Sequence, residues 1–229
     1  MKLFRNIRLA LLVAMITCGS FAVQAQISTN VKAEDFAVIA VNNSRAQVGG
    51  VYVNQSCFDG TIKSDTQAKN FDAIAKNHSI VQIGGVSIDA STVKGTLVET
   101  TKVENGAAVA LNHSVAQIGG IRIQDSKVDG TIKSDTQARN FTALAKNNST
   151  VQIGGVSLEK STVKGTLTDN TKAENFTAVA MNKSTVQVGG IMIKDSKVDG
   201  TIKADTQAKN FVAIAKNHST VQVGGVMIK

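Results

Sequence analysis

A glutamine returns at one fixed interval through almost the whole chain. It lies in a short segment of the form Q-x-G-G, and neighbouring copies are 35 residues apart with no insertion or deletion between them. The copies are Gln47, Gln82, Gln117, Gln152, Gln187 and Gln222. Self-similarity at a fixed period of this length indicates a repeat architecture. The absence of Trp and the 4% aromatic content suit thin layers that pack on their neighbours rather than one compact globule.

The repeats divide the chain without any linker between them. We predict one elongated repeat domain over residues 26–229, preceded by a signal peptide. A partial repeat covers residues 27–50, and a short stub covers 226–229. The full repeats begin at Val51, Val86, Ile121, Val156 and Ile191.

The first 25 residues have the composition of an export signal. Lys2, Arg5 and Arg8 give a positive start, a short apolar run follows, and Ala25 supplies a small residue for cleavage. This order predicts a secretory signal peptide over residues 1–25. The apolar run is too short to cross a bilayer, so we expect a mature chain without a transmembrane segment. The predicted location is secreted, either extracellular or at the cell surface.

The repeat itself has mostly period-two hydrophobicity, which indicates β-strands. Residues 185–188, for example, alternate between polar and β-branched apolar side chains, and Gly, Asn and Asp mark the corners. We predict three or four short strands in each repeat. The segment 175–181 also fits helical spacing, but strand is the favoured prediction. The predicted fold is an all-β solenoid, elongated, with six stacked layers of 35 residues, the first of them partial.

Charges at equivalent positions alternate in sign from layer to layer. Equivalent residues of neighbouring coils lie about 4.8 Å apart in a β-solenoid, so like charges would repel along the stack. Duplication of a 70-residue unit would preserve such a pattern, but it does not explain why two separate columns alternate. We therefore predict a charge ladder that fixes the register of assembly. One column is Glu34, Lys69, Glu104, Arg139, Glu174 and Lys209, and the other is Asp59, Lys94, Asp129, Lys164 and Asp199.

Amide side chains also recur in columns. Stacked amides at the β spacing can hydrogen-bond along a stack, so a polar ladder is predicted for the asparagines and for the glutamines of the Q-x-G-G segments. Its asparagines are Asn42, Asn77, Asn112, Asn147, Asn182 and Asn217.

An aromatic column predicts the core, and the column of opposite parity leaves two alternatives open. The aromatic column has one gap, at Gly106, and consists of Phe36, Phe71, Phe141, Phe176 and Phe211. The other column is Ile39, Ile74, Val109, Leu144, Val179 and Ile214. If the phenylalanines point inward, this column is either an exposed apolar stripe for interaction or is buried by a second layer.

The residues carry no catalytic signature. The Gly-Gly pairs follow a strand, but no helix start follows them, so they indicate corners rather than phosphate-binding loops. A single active site would need a nucleophile, a base and an acid at positions that differ from the repeat, and the sequence contains no such set. We predict no enzyme activity, no catalytic or metal site and no cofactor. The lysines lie among acidic residues without aromatic residues between them, so specific nucleic-acid binding is not expected.

The two ends of the repeat series are complementary in the signs of their charges. The charge column ends at Lys209, and Glu34 of a following molecule would continue its alternation. An uncapped sheet edge recruits other chains. We therefore predict a homopolymer assembled head-to-tail, and an outer-membrane partner for secretion or nucleation is left open. The rival hypothesis is a monomeric solenoid adhesin that binds a ligand on a host or neighbouring cell.

The segment Asn147 to Gly154 has the form N-x-S-x-V-Q-x-G. This motif resembles the repeats of bacterial functional-amyloid subunits, the curli and Fap types, and the repeat also looks similar to those of exported proteins labelled hemagglutinin-like. The resemblance covers the repeats only. It implies a surface or matrix fibre that acts in adhesion and biofilm.

Overall fold

The chain folds into a stack of β-coils. The structure, a computed structural model, describes residues 24–228, with side chains from residue 26 onward. Within these residues there are three parallel sheets of six strands each and no helix, which confirms the predicted β-solenoid. The predicted signal peptide lies outside the described residues apart from Gln24 and Ala25, which open the first strand.

Each coil contributes one long strand and two strands of three or four residues, and coils 1 to 6 are numbered here from their long strands. The long strands form sheet A, which contains β1 (Gln24–Val41), β4 (Cys57–Lys76), β7 (Thr92–Leu111), β10 (Lys127–Lys146), β13 (Thr162–Met181) and β16 (Lys197–Lys216). Sheet B contains β2 (Arg45–Val48), β5 (Ile80–Ile83), β8 (Val115–Ile118), β11 (Thr150–Ile153), β14 (Thr185–Val188) and β17 (Thr220–Val223). Sheet C contains β3 (Val51–Asn54), β6 (Val86–Asp89), β9 (Ile121–Gln124), β12 (Val156–Glu159), β15 (Ile191–Lys194) and β18 (Val226–Ile228).

The repeat period sets the strand register. Every paired residue lies opposite the residue 35 positions along the chain, as Gln152 does with Gln187. The corners continue the same pairing, since the amide of Asn77 donates to the carbonyl of Leu111 at 3.1 Å and that of His78 to Asn112 at 3.0 Å. Backbone groups therefore find partners in the neighbouring coil even where the chain turns, which buried corners require.

The long strand is bent by a residue in the left-handed region, which the sequence did not predict. Asn70 has φ of +50° and is skipped by the pairing, which joins Lys69 to Glu104 and Phe71 to Gly106. Asparagine tolerates this conformation better than most residues. In β4, side chains before the bend face the core at even positions, such as Ile62, and side chains after it face the core at odd positions, as Phe71 does. Each coil therefore contains three strands, within the predicted three or four, and one of them is far longer than the short strands predicted. The segment 175–181 lies within β13, so the strand prediction is confirmed.

The coil encloses two apolar clusters rather than one. The end of the long strand packs on sheet B, where Phe71 and Ala73 meet Val81. The start of the long strand packs on sheet C, where Ile62 meets Val86. Between the clusters the Gly-Gly corner approaches the middle of the long strand, and the amide of each corner's second glycine in coils 2, 4 and 6 donates to a threonine hydroxyl at 3.2–3.3 Å. Sheets B and C therefore meet at a corner that points inward.

Candidate functional site

The charge columns are aligned in the register that their spacing predicted. Glu34 pairs with Lys69, and Asp59 pairs with Lys94. Ion pairs join Lys69 to Glu34 at 3.0 Å and Arg139 to Glu174 at 3.3 Å. The hydrogen bond to Glu34, with its negative charge, raises the pKa of the Lys69 ammonium. These groups are exposed, so they contribute little to stability. Their alternation chiefly disfavours any register that stacks like charges.

The predicted asparagine column forms a continuous ladder. The amide nitrogen of each asparagine donates to the amide oxygen of the preceding coil at 2.8–2.9 Å, from Asn77 to Asn42 through to Asn217 and Asn182. A second ladder was missed. It runs at 2.8–3.1 Å through the bend of the long strands, in the order Asp35, Asn70, Asn105, Asn140, Asn175 and Asn210. Its signal was an asparagine before nearly every core phenylalanine. Both ladders share one direction along the stack.

The glutamines behave differently from the predicted polar ladder. Gln152 is 1% exposed, and its Nε2 donates to backbone carbonyls, that of Gly154 at 3.2 Å and that of Ile121 in the preceding coil at 3.3 Å. Gln187 and Gln222 likewise bond to the preceding coil's carbonyl, at 3.0 and 3.1 Å. The corner carbonyls lie within reach of these side chains, so the glutamines bond to backbone carbonyls instead of to another amide. Four of them join sheet B to sheet C in this way, namely Gln117, Gln152, Gln187 and Gln222, whereas Gln47 and Gln82 bond to the corner glycine of their own coil.

The structure places the two apolar columns on opposite faces of the long strands. Phe71, Phe141 and Phe176 are buried, and the rings of Phe141 and Phe176 stack with centroids 4.9 Å apart. The ring of Phe71 occupies the space beside Gly106, where a Cβ would lie only 2.3 Å from it. The column of opposite parity lies on the outer face. Its interior members, Ile74, Val109, Leu144 and Val179, are partly buried.

The last described coil exposes the interior of the stack. Phe211 is 45% exposed, whereas Phe176, its equivalent one coil earlier, is 3% exposed. Val226 is 46% exposed and its equivalent Ile191 is fully buried. Among the described strands, β16 has a hydrogen-bonded neighbour on one side only, β13. An open edge of this length with exposed core side chains is a template for another strand.

Two carboxylates lie inside the stack, between the apolar clusters, and the sequence reading missed them. Glu99 and Asp169 are fully buried at positions that serine occupies in coils 2 and 4. Burial raises the pKa of Glu99 to about 8, against hydrogen bonds from the amide of Gly120 and the hydroxyl of Ser134. Burial likewise raises the pKa of Asp169 to about 6. Each carboxylate lies two residues after a buried leucine, Leu97 or Leu167, and so points to the same side of its strand. That spacing was the sequence signal for burial.

The fold and its ladders define the class of this protein, a β-solenoid whose coils match in backbone, core and surface charge. Comparison with protein-family models, with curated proteins and with solved structures finds no match to the chain. No helix within residues 24–228 is long and apolar enough to cross a membrane. Over the same described residues, no three His, Cys, Asp or Glu side chains gather as a metal site.

Proposed function

We propose that this protein is a secreted structural subunit that assembles head-to-tail into an extracellular fibre for biofilm matrix or surface adhesion. The observation that carries the proposal is the open face of coil 6, where Phe211 and Val226 are exposed beside an unpaired strand edge. Burial of such apolar side chains is the main driving force of association. The predicted export signal and the resemblance to functional-amyloid repeats support an extracellular location.

Coil 1 of a second molecule is the surface that fits this face. Lys209 and Glu34 are 175 residues apart, which is five periods of 35. The same offset places Phe211 on Phe36 and extends the alternating charge column across the junction. The register used between coils within one chain therefore continues from one molecule to the next.

The ladders give the junction a direction. Since each amide nitrogen bonds to the preceding coil, the ladder presents the oxygen of Asn217 at one end and the nitrogen of Asn42 at the other. Two like ends cannot satisfy each other, whereas unlike ends can. The contact is therefore heterologous, and such contacts generate open filaments when the rotation between subunits does not close a ring. Electron microscopy across a concentration series should show particles that lengthen as concentration rises.

Gly225→Ala should block fibre growth while leaving the single chain folded. In coils 1 to 5, a Cβ on the second glycine of the corner would lie 2.4–2.7 Å from backbone atoms of the next coil, but at Gly225 nothing lies within 4 Å. In a fibre the next coil belongs to the next molecule, so the added methyl group would collide with its Gly-Gly corner. Sedimentation and electron microscopy should detect single particles only. Circular dichroism should show the same β content as the parent protein.

A mixing experiment separates a blocked end from a misfolded variant. A folded Gly225→Ala chain can still add to a fibre through its coil 1, and it then presents a blocked coil 6. A few per cent of the variant should therefore shorten fibres of the parent protein. Fibres of normal length in the variant alone would refute the proposed junction. Uniform short rods in the parent at every concentration would favour the monomeric adhesin instead.

Asp35→Asn should strengthen assembly. Asp35 occupies the position of an asparagine in the second ladder and accepts from Asn70 at 2.8 Å. At the junction it would face the amide oxygen of Asn210, and a carboxylate has no donor for that oxygen. An asparagine would donate, as at each step of the ladder from Asn105 to Asn210. The critical concentration should fall about fivefold, the equivalent of one hydrogen bond of about 1 kcal/mol. An unchanged or higher value would contradict the predicted register.

A further inference from the structure

A groove runs along the outside of the solenoid where sheets B and C meet. The Gly-Gly corner points inward, and a Cβ at Gly84 would lie 1.6 Å from the hydroxyl oxygen of Thr66 on the long strand. The outward side chains of the two short sheets therefore face each other across a concave angle. Gln82 lies between the core residues Val81 and Ile83, so its side chain points to the groove side, where it is 1% exposed.

The groove loses its regularity in coils 1 to 3. One column of its wall is Tyr52, Ser87, Arg122, Ser157, Met192 and Met227, in that order along the stack. Large side chains thus flank the small Ser87, which leaves an open cavity of about 240 Å³. The residues that line the cavity include Arg45, Tyr52, His78, Ser87, Asp89 and Arg122. The equivalents of Arg45 and Arg122 in coils 4 to 6 are uncharged, so the arrangement occurs once in the described stack.

Both arginines retain hydrogen-bonding capacity. Nη2 of Arg122 donates to Oε1 of Gln124 at 2.9 Å, and the guanidinium carbon of Arg45 lies 3.7 Å from the ring centroid of Tyr52. Within residues 26–228 no carboxylate forms an ion pair of 4.0 Å or less with either guanidinium. Each guanidinium has five donors in a fork that matches a carboxylate or sulfate group. Burial lowers the pKa of the Arg122 guanidinium, which nevertheless remains a cation at neutral pH.

We propose that this cavity binds one acidic sugar residue, a pyranose that carries a carboxylate or a sulfate, within an anionic polysaccharide. The two guanidinium groups would bind the anionic group. Tyr52 offers apolar ring edge to the sugar, while Ser87 and Asp89 offer polar atoms for its hydroxyl groups. The volume is below the roughly 300–1,000 Å³ of pockets for drug-sized ligands, so it suits a single ring, with the rest of the polymer lying along the groove.

This inference stands apart from fibre assembly, because the cavity is built from coils 1 to 3 of one chain. If the fibre also forms, it would repeat the site once per molecule and bind a polysaccharide multivalently. The binding test is therefore made at concentrations where electron microscopy shows single particles.

Fluorescence of Tyr52 can report binding directly, since the chain has one tyrosine and no tryptophan. The purified protein is titrated with three probes: a tetragalacturonate, a sulfated galactan tetrasaccharide and a neutral galactan tetrasaccharide. We expect saturable binding of one equivalent of an acidic probe. The acid that binds more tightly identifies the anionic group, and the neutral probe should bind at least tenfold more weakly.

Arg122→Ser tests the site with a residue that the same column already contains, at Ser87 and Ser157. It should weaken binding of the acidic probe about tenfold or more. Arg45→Thr, which introduces the residue found at Thr150, is a second and independent loss variant. Lys146→Met is the matched control, because it removes one positive charge from the outer face of β10 and gives the residue found at Met181.

Acidic binding that is lost in Arg122→Ser and retained in Lys146→Met supports the site. Failure of both acidic probes to bind, equal binding of the neutral probe, unchanged affinity in both arginine variants, or an equal loss in Lys146→Met would overturn it. The last result would mean that the probes respond to overall charge only.

Discussion

Gly155→Ala should separate coil 4 from coil 5 and lower the free energy of unfolding by more than about 3 kcal/mol. A Cβ at this position would lie 2.6 Å from the carbonyl oxygen of Gly190 and 2.7 Å from the carbonyl carbon of Gly189. Both are backbone atoms held by the inter-coil ladder, so neither can move away without breaking hydrogen bonds. The residue also has φ of +71°, a conformation that alanine adopts at a cost of about 1–2 kcal/mol.

The chain offers its own control for this prediction. Gly225 has nearly the same conformation, with φ of +66°, but a Cβ there would meet nothing within 4 Å of the single chain. Gly225→Ala should therefore lower the free energy of unfolding by the conformational cost alone. The difference in the free energy of unfolding between the two variants then measures the cost of the clash between coils. Urea unfolding followed by circular dichroism gives both values. Equal losses in the two variants would mean that the coils can part at the corner without cost.

The folded state should lose stability as the pH rises from about 5 to about 8, chiefly through Glu99. Its pKa is about 8 in the folded chain and about 4.5 when exposed. The folded state therefore binds more protons than the unfolded state in this window, so stability falls as the pH increases. The two pKa values correspond to about 3–5 kcal/mol. The pKa of Asp169, raised to about 6 from 3.8, adds a smaller loss of the same sign between about pH 4 and 6.

Glu99→Gln should remove most of this pH dependence. The variant keeps the shape of the side chain without a group that can ionise, so it should match the parent near pH 4.5 and exceed its stability at pH 8. Glu99→Ser, with the residue found at Ser64 and Ser134, gives a second test with a smaller side chain. Glu104→Gln on the same strand removes an outer carboxylate and should leave the pH dependence in place. If unfolding in urea shows no difference between parent and Glu99→Gln at pH 8, Glu99 is not the cause.

The two buried carboxylates show which features of the interior the sequence could predict and which it could not. Asp169 shares the parity of Leu167, and that parity alone would have placed its carboxylate inside the coil. Parity could not predict the hydrogen-bond partners of this carboxylate. Ser134 reaches Asp169 from the neighbouring coil, and the amide of Gly190 reaches it across the interior of the same coil. The raised pKa depends on those surroundings. A charged residue on the core face of a strand is therefore a signal that sequence can supply, and its consequence requires the packing.

The 35-residue period is enough to predict the stack. A constant 35-residue period in a parallel solenoid forces residue i onto residue i + 35, so the charge columns, the asparagine ladder from Asn42 to Asn217 and the phenylalanine core follow from spacing alone. Tertiary structure decided the path of each coil. A left-handed residue at Asn70 reverses which side chains face inward, and the corner at Gly84 and Gly85 turns toward the long strand. The sign of φ at a bend depends on contacts across the coil, which period and parity do not record. The groove and its cavity beside Arg122 follow from that inward corner.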